Sequence, residues 1–261
     1  DRRIAGERVL VPGEAMIDPT ILRLTVRQLL GQRRSIVMVL FALLPVLLAV
    51  LYALENDSSD AQEWTAKVAL GGLVIGLVLP FTALVFGTAA LGQEFEDGTA
   101  VYLLAKPIPR ATIVFSKLVV AWAATTAVVV VSAALTGAIG LSGEPGEGII
   151  AGFIAAAVVG SLVYCAAFLW LSIATSRALI VGLLYVFIWQ GVVVSLFSGV
   201  RYFSISQYAL GIAKAFITAP DDIFDPRLNV APAVLFAVLV TVGATWLSVR
   251  ALQRWEIGEA T

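Results

Sequence analysis

The residues able to do chemistry in this chain gather in one segment. Between Gly92 and Lys117 stand Glu94, Glu96 and Asp97, then Gly98-Thr99, then the apolar run Val101-Tyr102-Leu103-Leu104, then Lys106-Pro107 and Arg110. No proton-transfer or nucleophilic arrangement goes with them. The chain has no histidine and one cysteine, Cys165, inside an apolar block. That composition excludes histidine catalysis, histidine metal ligands and a disulfide within the chain. No glycine-rich loop ending in Gly-Lys-Ser or Gly-Lys-Thr occurs, so the chain has no phosphate cradle and is not expected to bind ATP itself. The chemistry left to the segment is recognition. Gly98 can end one helix, Thr99 can cap the next, and Pro107 stops it. The resulting helix of about two turns is marginal in water and must pack on something. Either it docks on a partner, or it folds back on the chain's own helix ends.

A second polar feature is Trp189-Gln190, in the middle of an apolar run. Gln190 is the most costly side chain there to leave facing lipid. It is expected to face a dimer seam or a cavity. No Asp, Glu, Lys or Arg stands in the middle of any apolar run, and Lys67 lies at a boundary. Such residues mark proton relays and ion paths, so an ion-coupled transporter or a voltage sensor is disfavoured.

The elements that carry these residues follow from hydropathy. Of the residues, 60% are hydrophobic and 13% are charged, against about 25% charged in ordinary soluble domains. The apolar residues fall into six blocks of the length a bilayer requires, 35–54, 67–91, 118–141, 149–172, 178–200 and 231–250. Each is expected to be a helix, because a helix satisfies its own backbone in lipid. The expected fold is therefore an all-α integral membrane protein with six transmembrane helices in a domain over 35–250. It has a cytoplasmic amino-terminal segment (1–34), a cytoplasmic loop at 92–117, an outer loop at 201–230 and a cytoplasmic tail at 251–261. With both termini cytoplasmic, thirteen of the 17 Lys and Arg lie on the inner side; only Lys67, Arg201, Lys214 and Arg227 lie outside. That bias sets the orientation. The net charge of −1 gives no footprint for nucleic acid. The chain begins at Asp1 rather than Met, so leading residues are expected before it, and the first apolar block starts too far in to be a signal peptide.

Three further features shape expectations. Pro19–Arg34 has Leu22, Val26, Leu29 and Leu30 on one helical face and Thr20, Arg23, Arg27 and Arg34 on the other. It is expected to lie in the cytoplasmic interface, or else to extend the first span into water. The 201–230 loop holds apolar stretches that either contribute Tyr202, Phe203 and Tyr208 to an aromatic belt or form a pair of short helices as an outer lid. Gly72 and Gly76 form one G-x-x-x-G, and Gly148 and Gly152 another, continued by Ala156 and Gly160. Small residues at this spacing permit close helix approach and are compatible with a dimer.

The acidic cluster, Gly98-Thr99, Leu103-Leu104, Pro107, Arg110 and Lys117 resemble the cytoplasmic loop of ABC-2 type export permeases. The amphipathic 19–34 segment, the six blocks and the long fifth outer connection extend the resemblance over nearly the whole chain. The flavour is similar to the compact permeases of the nitrous-oxide-reductase maturation type. The resemblance implies a permease subunit without its own cofactor, paired with a second permease and with two copies of a separate ABC ATPase that binds ATP and Mg2+. It implies a coupling helix seated on that ATPase through Glu94, Glu96, Asp97, Gly98, Thr99, Val101, Tyr102, Leu103, Leu104, Pro107 and Arg110. It further implies an elbow helix held at the membrane through Arg23, Arg27 and Arg34, and a location in the plasma (inner) membrane with lipid around it. The alternatives are a membrane scaffold that anchors an ATPase, and a passive channel.

Overall fold

The computed structural model describes residues 19–30, 33–55, 61–96, 109–142, 146, 148–196, 202–218, 223–226 and 228–258. Every regular element among them is helical. α1 is Pro19–Leu30 and α2 is Arg33–Glu55. α3 (Ala61–Trp64), π1 (Thr65–Val78) and α4 (Leu79–Glu96) form one continuous rod. α5 is Arg110–Gly140 and α6 is Ile149–Ala174. α7 (Ala178–Leu184), π2 (Tyr185–Val193) and α8 (Val194–Leu196) form a second continuous rod. α9 is Ile205–Ala213 and α10 is Val230–Gly258.

Five helical stretches are long and apolar enough to cross a membrane: Arg33–Leu54, Ala61–Gly92, Arg110–Gly140, Ile149–Ala174 and Val230–Arg254. The remaining expected block, the fifth in the chain, is helical too, but over Ala178–Val193 it is shorter than these five. Two stretches are wound more widely than an α-helix. The Leu79 amide donates to the Val74 carbonyl and the Val194 amide to the Trp189 carbonyl, five residues back in each case.

The third long helix starts earlier than hydropathy suggests. The apolar block begins at Leu118, yet α5 begins at Arg110. Arg110 and Lys117, which hydropathy assigns to water, are both buried. The first rod is longer than expected at both ends, from Ala61 to Glu96.

Close contacts fix the topology. A Cβ on Gly87 would touch Phe168 and Cys165, and one on Gly92 would touch Ser172, so α4 and α6 run parallel. α5 runs antiparallel to both, since Gly137 abuts Ile150 and Leu70 while Gly140 abuts Thr65. α6 is the central helix, packed against α4, α5, α9 and α10. Its buried face carries Phe153, Ala156, Ala157, Tyr164, Cys165, Phe168 and Leu169. α2 and α10 sit at the periphery. They expose long apolar faces such as Leu40, Leu43 and Leu47 or Val234, Val238 and Val242.

α9 is the element least expected from hydropathy, and it is buried rather than an exposed lid, while Tyr202 and Phe203 just before it are exposed. Ile205, Ser206, Tyr208, Ala209, Gly211, Ile212 and Ala213 are buried. It lies in a channel that the glycines of α6 leave open. A Cβ on Gly148 would stand 2.1 Å from the Phe216 carbonyl oxygen, and one on Gly152 would stand 2.7 Å from that of Ala213. One on Gly160 would stand 3.1 Å from the Ala209 Cβ. Gly148 also has φ +78°, which a side chain would strain. The Gly148/Gly152/Gly160 stripe therefore serves contact within this chain. Gly72 and Gly76 on π1 are instead exposed, and side chains there would meet only their own helix.

Candidate functional site

Residues 97–108 lie outside the described residues. With them go Asp97, Gly98, Thr99, Val101, Tyr102, Leu103, Leu104 and Pro107, and the side chains of Glu96 and Arg27 are not described either. What the structure does describe is where this segment leaves and re-enters the helical body. Glu94 stands in the last turn of α4, and Lys117 in the second full turn of α5. The Lys117 Nζ donates to Glu94 Oε1 at 2.5 Å. The lysine side chain is 3% exposed and the glutamate 18%. At such burial the pair attracts far more strongly than it would in water, and either charge left alone would be costly. This partnership explains why α5 takes Lys117 inside. It also turns Glu94, placed by sequence among the docking residues, toward the chain's own third long helix. Arg110, at the first position of α5, is buried at the same junction.

The amino-terminal helix contributes to the same end of the molecule. Leu29 is buried and Leu22 half-buried against Phe86, Ala89 and Val120, so α1 docks on α4 and α5. Ser35 Oγ donates to the Leu29 carbonyl and ties the end of α1 to α2. Arg23 and Arg34 are exposed, as the amphipathic pattern requires, but Val26 is exposed as well. The packing face thus runs through Leu22, Thr25 and Leu29, rotated from the face that apolar spacing suggests.

A second polar assembly sits deep in the helical body. Sequence alone found Gln190 but not its partners. Gln190 and Tyr164 are joined through both amide atoms. The Tyr164 hydroxyl lies 2.9 Å from Gln190 Oε1 and 2.6 Å from Nε2. Tyr185 stands five residues before Gln190, one turn away in the wide winding of π2, and its hydroxyl is 3.5 Å from the same amide nitrogen. Trp189 Nε1 and the Tyr185 hydroxyl both donate to the Phe203 carbonyl, at 3.2 and 3.4 Å. Ser206 also faces the Tyr164 hydroxyl. The cluster therefore holds the start of α9 against π2 and α6. Tyr164 lies about 24 Å along α6 from Gly148, at 1.5 Å per residue. α9 thus begins well over halfway down that helix. The sequence signal that could have located the partners is the Tyr185/Gln190 spacing, which a π-turn makes adjacent.

The cluster supports a stability prediction. Tyr164 is fully buried, so Gln190→Leu strips its hydroxyl of an amide partner. The expected cost is about 1–2 kcal/mol. Adding Tyr164→Phe removes the hydroxyl that lost this partner and should recover part of the loss. Thermal unfolding of the four proteins in detergent gives the coupling energy of the pair. Strictly additive losses would mean that the two side chains do not share the bond.

Several apolar grooves open on the surface of the described body, and two of them are lined by aromatic rings. One, of about 290 Å³, is walled by Met38, Phe41, Leu77, Phe81 and Phe187, where α2, π1, α4 and π2 meet. Its rings touch edge-on, Phe41 to Phe81 at 5.7 Å and Phe81 to Phe187 at 5.2 Å. The other, of about 300 Å³, lies between α6, α7, α9 and α10 and includes Phe168, Trp170, Tyr185, Phe203 and Tyr208. Neither groove is lined by Trp189 or Gln190. Among the described residues no group of His, Cys, Asp and Glu is placed to hold a metal ion.

No curated protein matches the chain. A family model does, that of the ABC-2 family transporter proteins, over residues 32–206. The match begins just before α2 and runs through the acidic-to-basic segment, the Glu94–Lys117 junction and the Gln190 cluster to the start of α9. With most of the chain covered and five long apolar helices, α6 central among them, the protein belongs to the ABC-2 family as a transporter membrane domain.

Proposed function

We propose that the chain is a six-span permease subunit of an ATP-driven exporter, with Ala178–Leu196 completing the sixth crossing. Members of the family pair with ABC ATPase subunits, and the ATP site lies on that separate chain. In this reading two ATPase copies, carrying ATP and Mg2+, serve two permease copies, the second being another copy of this chain. Both termini face the cytoplasm of the plasma (inner) membrane. α1 is the elbow helix, held at the interface by Arg23, Arg27 and Arg34. The 92–117 segment carries the coupling helix, with Glu96, Asp97 and Arg110 at its rim and Val101, Tyr102, Leu103 and Leu104 at its centre. The substrate is hydrophobic or lipid-like, and the apolar grooves fit that class. The subtype is that of the compact maturation-type permeases. The observation that carries the reading is the family match, which contains the whole 92–117 segment.

Two measurements test it together. The purified chain alone is expected to bind no labelled ATP. Its complex with an ABC ATPase, reconstituted in liposomes, is expected to hydrolyse ATP at a rate that changes when hydrophobic or lipid-like compounds are supplied. Nucleotide bound by the isolated chain contradicts the division of labour. Hydrolysis indifferent to every such compound, with nothing moved, favours a scaffold that anchors an ATPase.

A further inference from the structure

We infer that Lys117 and Glu94 are positioning residues for coupling: their buried ion pair locks α4 and α5 in register, so that force applied to the 97–108 segment moves both helices as one lever. The inference rests on the reading of that segment as the ATPase-docking element. The two residues are 23 apart in sequence and 2.5 Å apart in space. They join the helices close to where each hands over to the segment. Unlinked helix ends would let one helix slide while the other stayed.

The apolar contacts at this level set register only weakly, and the same end of α5 also buries the polar Arg110, Thr112 and Ser116. Gly92 rests on the Ser172 Cβ, and Ile113 and Val114 are buried among apolar side chains. Apolar contacts are non-directional, and packed helices shear past one another at small cost. A buried ion pair is directional, and sliding by even part of a turn leaves two desolvated charges unpaired. Fixing register is the role in which buried polar pairs are best attested. α5 then carries the displacement onward. It is one unbroken helix from Arg110 to Gly140, about 46 Å long at 1.5 Å per residue. Lys117 sits near one end, and Ser142, just past the other, is exposed.

The test places a spin label on Ser142→Cys in a Cys165→Ser background, in the complex with the ATPase. The label spectrum is compared with and without ATP plus vanadate, and the change is divided by the amount of nucleotide trapped. The label is expected to respond in the parent complex. In E94Q/K117M, which removes both charges of the pair, the change per trapped nucleotide is expected to fall at least fivefold. In E94K/K117E, which restores an ion pair, it is expected to return to within twofold of the parent. A parent-sized change in E94Q/K117M overturns the inference, and so does a swapped pair that responds no better than the neutral one. A merely stabilising pair would shift the melting temperature and leave the normalised response unchanged. Failure of the docking reading shows itself earlier and differently. The unsubstituted chain would then retain no ATPase, or its label would ignore nucleotide, and the inference would fall with that reading.

Discussion

Gly152→Leu is expected to destabilise the folded chain by about 3 kcal/mol or more, while Gly72→Leu leaves its unfolding nearly unchanged. Both glycines belong to a G-x-x-x-G spacing, and sequence does not separate them. At Gly152 a Cβ would stand 2.7 Å from the Ala213 carbonyl oxygen and 2.7 Å from Ile217 Cγ1. The first of these is backbone and cannot rotate away. A leucine adds three more carbons in the same direction, so α9 must leave its channel or α6 must bend. Overpacking a full core typically costs about 1–3 kcal/mol, and here buried contacts along the whole of α9 are at risk as well. At Gly72 a Cβ would meet only the Lys67 carbonyl oxygen, at 3.5 Å, an ordinary contact. Thermal unfolding in detergent, followed by size exclusion, measures both. A Gly152→Leu protein that melts with the parent would show that α9 is not seated on α6.

Leu104→Ala and Tyr102→Ala are each expected to weaken the complex with the ATPase by about 2 kcal/mol, roughly thirtyfold in Kd. These side chains form the apolar centre of the segment between an acidic and a basic cluster. Apolar anchors at the middle of an interface carry most of its affinity, whereas rim charges steer association. Lys106→Ala should therefore change Kd less than either. The affinity is read by titrating labelled ATPase against permease held in nanodiscs. If the segment folds back on its own helix ends instead, both alanine variants melt earlier and bind the ATPase normally. That outcome would remove the coupling-helix reading.

The sequence announced the helices better than it announced their company. Apolar blocks of bilayer length give α2, the first rod, α5, α6 and α10, because a helix satisfies its own backbone in lipid. Their ends were less legible. Hydropathy treats Lys117 as water-seeking whatever it faces, so the start of α5 was set eight residues late; only the partner Glu94, in another helix, decides the matter. Gln190 was recognisable as expensive in an apolar run, but its expected place at a seam or cavity did not foretell the Tyr164 hydroxyl that meets it. The glycines of α6 declared that some backbone comes close. They did not say that it belongs to a nine-residue helix 53 positions downstream of Gly152, too short to register as a crossing.

That short helix also constrains the order in which the protein can be made. Synthesis delivers α6 before π2, π2 before α9, and α9 before α10. Gly211 of α9 rests against the Ala233 Cβ and the Leu228 carbonyl oxygen, which follow α9 in the chain. Until that stretch emerges, α9 has one wall missing, and nine residues are too few to settle across lipid by themselves. The open glycine channel of α6 must meanwhile face lipid or a chaperone. A span made after α9 is thus the one that closes the fold around it, and chains ending before residue 233 should be recognised as unfinished by the cell's quality control, however well α2, α4, α5 and α6 have inserted.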